Sequence, residues 1–229
     1  MALHPGRSHW RIALFAMALA GSIAFFRWQE RLPLDDPTGS SRKSGTGVYQ
    51  TQSSSKHGTP GPHRTGVWEV LQNCTLMEDR LNDGDSFVVG HQGTGHTFRL
   101  YFADSPEKYR HKFNGQRIAE QGRYFGGLTE AETIAVGEDA RDFSLALLRE
   151  NTFTVITRWE PVFDSERFYA FVTVGQGDLA ELLVRKGLAR IYTKGENRPG
   201  GITTAREKER LAGMERKAKS AQIGAWAER

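Results

Sequence analysis

Six charged residues in three short stretches carry the chemistry this sequence offers: Asp83 and Asp85 in Asp83-Gly84-Asp85-Ser86, Arg99 with Asp104 and Glu107 in the following Asp104-Ser105-Pro106-Glu107, and Arg167 in Ser165-Glu166-Arg167-Phe168. Taken singly they are ordinary. The first stretch reads as a turn entering a strand, the acidic pair of the second as a turn or helix-cap device, and Arg167 as a strand-edge surface residue. Taken together they supply oxygens suited to a hard cation that keeps several waters, and planar guanidinium forks suited to phosphate. A thiolate or imidazole metal site is not indicated. Cys74 is the single cysteine, which also excludes an internal disulfide, and His57, His63, His91, His96 and His111 share no ligand spacing and read as surface residues.

The elements that must position these residues are mostly strands. Runs over 67–77, 86–91, 95–103, 152–159 and 168–174 combine β-branched and aromatic residues. In the third run Phe98, Leu100 and Phe102 alternate with Thr97, Arg99 and Tyr101, so period two puts Arg99 on the face opposite the core aromatics. Five strands is the count of an OB-type barrel. Helical spacing marks 137–150 through Ala140, Phe143, Leu147 and Leu148, and 178–189 through Leu179, Leu182, Leu183 and Leu188. Leu211, Met214, Ala218 and Ala221 stripe a charged C-terminal helix, a short helix is expected over 116–125, and Thr129 with Glu132 has the capping-box spacing that starts another. The fold class is α+β, mainly β: a five-stranded OB-fold barrel with three or more helices, occupying 67–229.

In this order, acidic turn, strand, arginine-bearing strand, Asp-Ser-Pro-Glu, helix, strand and second arginine, the stretches resemble the staphylococcal nuclease (thermonuclease) family. The resemblance spans roughly residues 67–226 and includes Val184-Arg185-Lys186-Gly187-Leu188-Ala189, which is similar to the family's Val-Arg-x-Gly-Leu-Ala helix end. It implies a calcium-dependent endonuclease that hydrolyses phosphodiester bonds of DNA or RNA in line and leaves 3′-phosphates. Under it the carboxylates of Asp85 and Asp104 and the carbonyl of Ser105 are Ca²⁺ ligands, with Asp83 an outer carboxylate beside them. Glu107 matches the general base that orients water, and Arg99 and Arg167 match the pair that grips the phosphate and stabilises its developing charge.

The sequence also departs from that pattern. Family members usually carry Tyr-Gly before the second arginine, where this chain has Glu166, and here Phe168 follows. The segment 108–136 is longer than in the simplest members and interleaves Arg110, His111, Lys112, Arg117 and Arg123 with Tyr109, Phe113, Tyr124 and Phe125. Two readings stand: a guide for a single strand, or an extra helix packing its aromatics on the barrel. Tyr192 reads either as a base-stacking residue or as packing after a helix. The alternative to an enzyme is a non-catalytic OB-fold domain that binds nucleic acid or protein. Such copies lose acidic or arginine residues, whereas Asp85, Arg99, Asp104, Glu107 and Arg167 are all present, which favours the enzyme.

Residues 12–26 form an uncharged apolar run preceded by Arg7 and Arg11, and 1–28 reads as a signal peptide or a short membrane anchor. Ala18-Leu19-Ala20 offers a cleavage pattern, while Trp10 and Trp28 bracket the run roughly 27 Å apart at helical rise. Both readings place the rest outside the cytoplasm, anchored at the membrane or secreted into the periplasm or beyond. From 29 to 66 the Ser-, Gly-, Thr- and Pro-rich composition reads as a disordered linker. A monomer is expected, and the net charge of +4 adds only modest support for a nucleic-acid substrate.

Overall fold

Residues 66–150 and 152–228 are described by the structure, a computed structural model. The segment 1–28 and the linker up to residue 65 lie outside them. Among the described residues no helix is long and apolar enough to cross a membrane.

Strands β1 (Glu69–Leu76), β2 (Ser86–His91) and β3 (Thr94–Leu100) form an antiparallel meander. The two-residue β4 (Ala103–Asp104) follows, and then helices α1 (Gly115–Tyr124) and α2 (Glu130–Glu150). Strand β5 (Phe153–Pro161) returns beside β1, and β6 (Arg167–Val174) pairs antiparallel with β5. The barrel closes where β6 runs parallel to β3, so five long strands make a mixed barrel. Burial alternates along β5 at period two, as it must when one sheet face is core, and Phe87, Phe98, Leu100, Val155 and Val172 fill the interior. Strand β7 (Gly177–Asp178) leads into α3 (Leu179–Arg185), whose first turn is capped by Asp178 accepting from the Glu181 N–H. Strand β8 (Arg190–Ile191) pairs with β4, and α4 (Thr204–Ser220) and a 3₁₀ turn at Gly224–Trp226 complete the chain.

Three local expectations change. The strand expected over 95–103 stops at Leu100: Tyr101 and Phe102 are both buried, and Phe102 adopts φ 65°. That left-handed turn ends the alternation and swings β4 out to meet β8. Second, α2 is one helix from Glu130, and Thr129 and Glu132 do form the capping box. Third, His96 is buried, its ring 4.9 Å from that of Trp159.

Candidate functional site

Barrel closure brings the two arginines together. In the parallel pairing Thr97 faces Arg167 and Arg99 faces Tyr169, so Arg99 and Arg167 share one sheet face, two residues out of step. Both line a cleft of about 610 Å³, with Asp104, Glu107, Arg117 and Tyr192 on its other walls. Arg99, Glu107 and Arg167 also border a neighbouring cavity of about 520 Å³ that reaches Asp83.

The acidic residues come from two turns that lie on one another. Gly84 makes this possible, because a Cβ there would stand 2.7 Å from Ser105 Oγ and 2.9 Å from the Ala140 methyl. The Ser105 N–H donates to Asp85 Oδ2 at 2.9 Å, and Ser86 Oγ donates to Asp85 Oδ1 at 3.0 Å. Arg99 Nη2 then lies 3.1 Å from Asp85 Oδ2 and 2.5 Å from Asp104 Oδ1. A single cationic nitrogen therefore touches both carboxylates, from turns far apart in sequence.

Helix α1 adds Asn114 and Gln121, which the sequence nominated for no role, and Arg117, one of the basic residues of the 108–136 segment. Asn114 at its N-cap, Arg117 and Gln121 are spaced three and four apart, hence on one face, and that face meets the Asp104–Glu107 turn. Arg117 donates through Nε to Glu107 Oε1 at 2.6 Å and through Nη2 to Asp104 Oδ1 at 2.5 Å. Asn114 Nδ2 donates to Glu107 Oε2 at 3.3 Å. Gln121 accepts from the Glu107 N–H at 3.1 Å and donates to Asp104 Oδ2 at 3.3 Å and to the Ser105 carbonyl at 3.1 Å. From β8, the buried Arg190 donates through Nε to Asp104 Oδ2 at 2.6 Å. The helical spacing of the α1 residues was legible once that helix was expected. Arg190 carried no signal, since nothing local shows that β8 pairs with β4.

Charge is distributed unevenly over this cluster. Burial works to raise the Asp104 carboxyl, yet Arg117, Arg99 and Arg190 together hold it below the ordinary carboxylate range. Asp85 is pushed up by burial, with Arg99 opposing and Asp104 adding to the rise. Asp83 is pushed up to about 7 by desolvation and by the charge of Asp85. Arg167 is lowered by burial and by Arg99; among the described residues it makes no ion pair, its nearest polar partner being Ser165 Oγ at 3.4 Å.

These observations bear on whether a cation fits. No cluster of three or more His, Cys, Asp or Glu residues surrounds one point among the described residues. What remains is two carboxylates and the Ser105 carbonyl, a donor set matching a hard cation that keeps much of its water. The Asp83 and Asp85 carboxyls are both raised, burial being the larger cause in each, and Arg99 Nη2 marks a point that contacts both Asp85 and Asp104. A cation bound there would compete with Arg99 for those oxygens.

The cleft rim is aromatic. Tyr192 is 60% exposed, with one ring face covered by the Arg190 guanidinium at 3.8 Å. Phe163, at the β5–β6 turn, is 85% exposed and lines the same cleft. The aromatics of the 108–136 segment divide: Tyr124 and Phe125 pack with Trp226, whereas Tyr109 and Phe113 face solvent.

A family model described as staphylococcal nuclease homologue matches residues 97–228, from within β3 to the end of the described chain. Asp83 and Asp85 precede the matched residues and reach the site through the fold. No curated protein matches the chain.

Proposed function

The chain belongs to the staphylococcal nuclease homologue family, and from that premise we propose that it is a calcium-dependent endonuclease that hydrolyses phosphodiester bonds of DNA or RNA and leaves 3′-phosphates. The observation that carries the reading is the meeting of Asp85, Asp104 and Arg99 at one point, beside an Arg167 that has no carboxylate partner among the described residues and lies on the same cleft wall. A partly desolvated guanidinium facing a cleft without a counterion is poised for an anion, and a planar fork suits two phosphate oxygens.

In this reading Arg167 and Arg99 bind the equatorial oxygens of the scissile phosphate and stabilise the charge that grows on them. Glu107 orients a water for in-line attack and takes up its proton as the water oxygen bonds to phosphorus, while the P–O5′ bond opposite breaks and the 5′-oxygen leaves, protonated from solvent, as a 5′-hydroxyl. Asp85, Asp104 and the Ser105 carbonyl hold Ca²⁺, which when bound supplies Lewis-acid polarisation of the phosphate. Asp83 stands beside them as an outer carboxylate. The five-stranded barrel is read as an OB-fold, a scaffold whose β2–β3 face and connecting loops commonly take up oligonucleotides, and Tyr192 as a base platform backed by Arg190. The region before residue 66 is read as exporting or anchoring this domain outside the cytoplasm, and the domain as acting as a monomer.

One observation favours a second reading, a barrel that binds nucleic acid or protein without cutting. Both oxygens of Asp104 are occupied, by Arg99 and Arg117 on one and by Arg190 and Gln121 on the other, and Glu107 is tied to Arg117. The two readings separate on incubation of the full chain with single- and double-stranded DNA and with RNA, in calcium or in chelator. The nuclease reading expects products only in calcium, and their loss in Glu107→Gln. Equal product in chelator, or unchanged turnover in that variant, contradicts it; nucleic-acid binding with no product in any condition supports the binder.

A further inference from the structure

Glu107 is engaged at both oxygens, Oε1 by Arg117 and Oε2 by Asn114. A carboxylate has about four acceptor sites and these contacts fill two of them, so a water can take the site that Arg117 now fills on Oε1 only when the Arg117 contact yields. The three guanidiniums on Asp104 differ in freedom. Arg190 is 4% exposed and Arg99 12%, but Arg117 is 35% exposed and opens onto the cleft that Arg99 and Arg167 also line. Its helix is anchored independently, through the buried Asn114 and Gln121, so the Arg117 side chain can leave the carboxylates without moving α1.

We infer that Arg117 is a third phosphate-contacting guanidinium, parked on Glu107 and Asp104 in the free protein and transferred to the nucleic-acid backbone when a strand enters the cleft. This rests on the nuclease reading for the identity of the anion. The exchange is nearly even in bonding: two charge-assisted hydrogen bonds to carboxylates are given up, and a phosphate offers oxygens in the same forked geometry. It has a consequence that a fixed strut would not have. The guanidinium is removed from Glu107 only when substrate is present, so the base is released at the moment its water must be oriented, and Glu107 competes with nucleic acid for Arg117 until then.

That competition is measurable without turnover. The dissociation constant of the full chain for a labelled single-stranded DNA oligonucleotide is measured in chelator for the parent, Arg117→Gln, Glu107→Gln and the double variant, with circular dichroism confirming that each is folded. Arg117→Gln is expected to weaken binding about five-fold, the worth of one partly exposed charge contact, and Arg117→Lys to recover part of the loss. Glu107→Gln is expected to tighten binding by a similar factor, and that gain should vanish in the double variant. The inference is overturned if Arg117→Gln binds as the parent does, if the gain from Glu107→Gln persists undiminished without Arg117, or if the parent shows no measurable binding. Absence of hydrolysis in calcium would instead retire the nuclease reading, and the binding cycle would still decide the role of Arg117.

Discussion

Arg99 and Arg167 lie on the same face of neighbouring strands, yet their charges are spent differently. Arg99 is committed to Asp85 and Asp104, whereas the Arg167 guanidinium among the described residues hydrogen-bonds only to the Ser165 hydroxyl. Removing Arg167 therefore breaks no ion pair of the resting protein among the described residues. Arg167→Ala should leave the urea midpoint nearly unchanged while lowering kcat on the order of 10²-fold, as loss of a preorganised charge stabiliser does; steady-state kinetics beside a denaturation curve checks both halves. The acidic cluster makes a prediction about pH. Because the folded-state value of Asp83 is raised from 3.8 to about 7, its contribution to stability is fully present below the lower value and is lost as pH rises through the upper one. Asp104, held low by three arginines, behaves in the opposite sense: its contribution is present above the ordinary carboxylate value and lost on acidification. In chelator, the parent should lose more stability than Asp83→Asn between about pH 5 and about pH 8. An identical loss in both would show that Asp83 is not the group responsible. At this scale the sequence was informative about position: Arg99, Asp104, Glu107, Arg167 and Tyr192 line one cleft, Asp83 borders the neighbouring cavity, and Asp85 and Ser105 meet where their two turns pack together. Arg190 and Gln121 escaped because their partners are far away along the chain, and a lone arginine after a helix or a glutamine within one has no local signature.

Among the elements, α1 and α2 deliver the acidic turn to the barrel. The α1 face of Asn114, Arg117 and Gln121 holds Glu107, Asp104 and Ser105 by hydrogen bonds, and α2 presses against the same turn at Gly137. A Cβ at Gly137 would stand 2.4 Å from the Glu107 carbonyl oxygen, a clash with backbone that no rotamer relieves. Gly137→Ala should therefore destabilise the fold by about 1–3 kcal/mol, the usual cost of overpacking, despite its better helix propensity. A urea midpoint at or above that of the parent would show that the helix and turn can part without cost. Strands and helices were legible from period and capping: the β-rich runs, the helical spacing of the leucines after Asp178 and the capping box at Thr129 each leave a local pattern. The kink at Tyr101–Phe102 was not. Hydrophobic alternation continues through it in the sequence, and only the left-handed backbone at Phe102 and the burial of both rings break the strand. That kink matters functionally, because it lets β4 pair with β8 and so puts Asp104 opposite Arg190.

For the molecule as a whole, closure of the barrel does what no single segment can. The parallel β3–β6 pairing sets two arginines side by side although a long stretch of helix and strand intervenes, and the packing of the Gly84 turn on Ser105 brings in Asp85 from outside the family match. The count of long strands was readable from the sequence; the closure that unites the site is a long-range pairing that composition does not encode. The proposed hydrolysis depends on that union, and specifically on Asp85 and Asp104 serving one divalent ion. Calorimetric titration of the full chain with Ca²⁺ tests it most directly. The parent should bind a single ion, and Asp85→Asn, still folded by circular dichroism, should lose that binding. Retention by Asp85→Asn of the same stoichiometry and affinity as the parent would contradict the shared site, and with it the proposed hydrolysis.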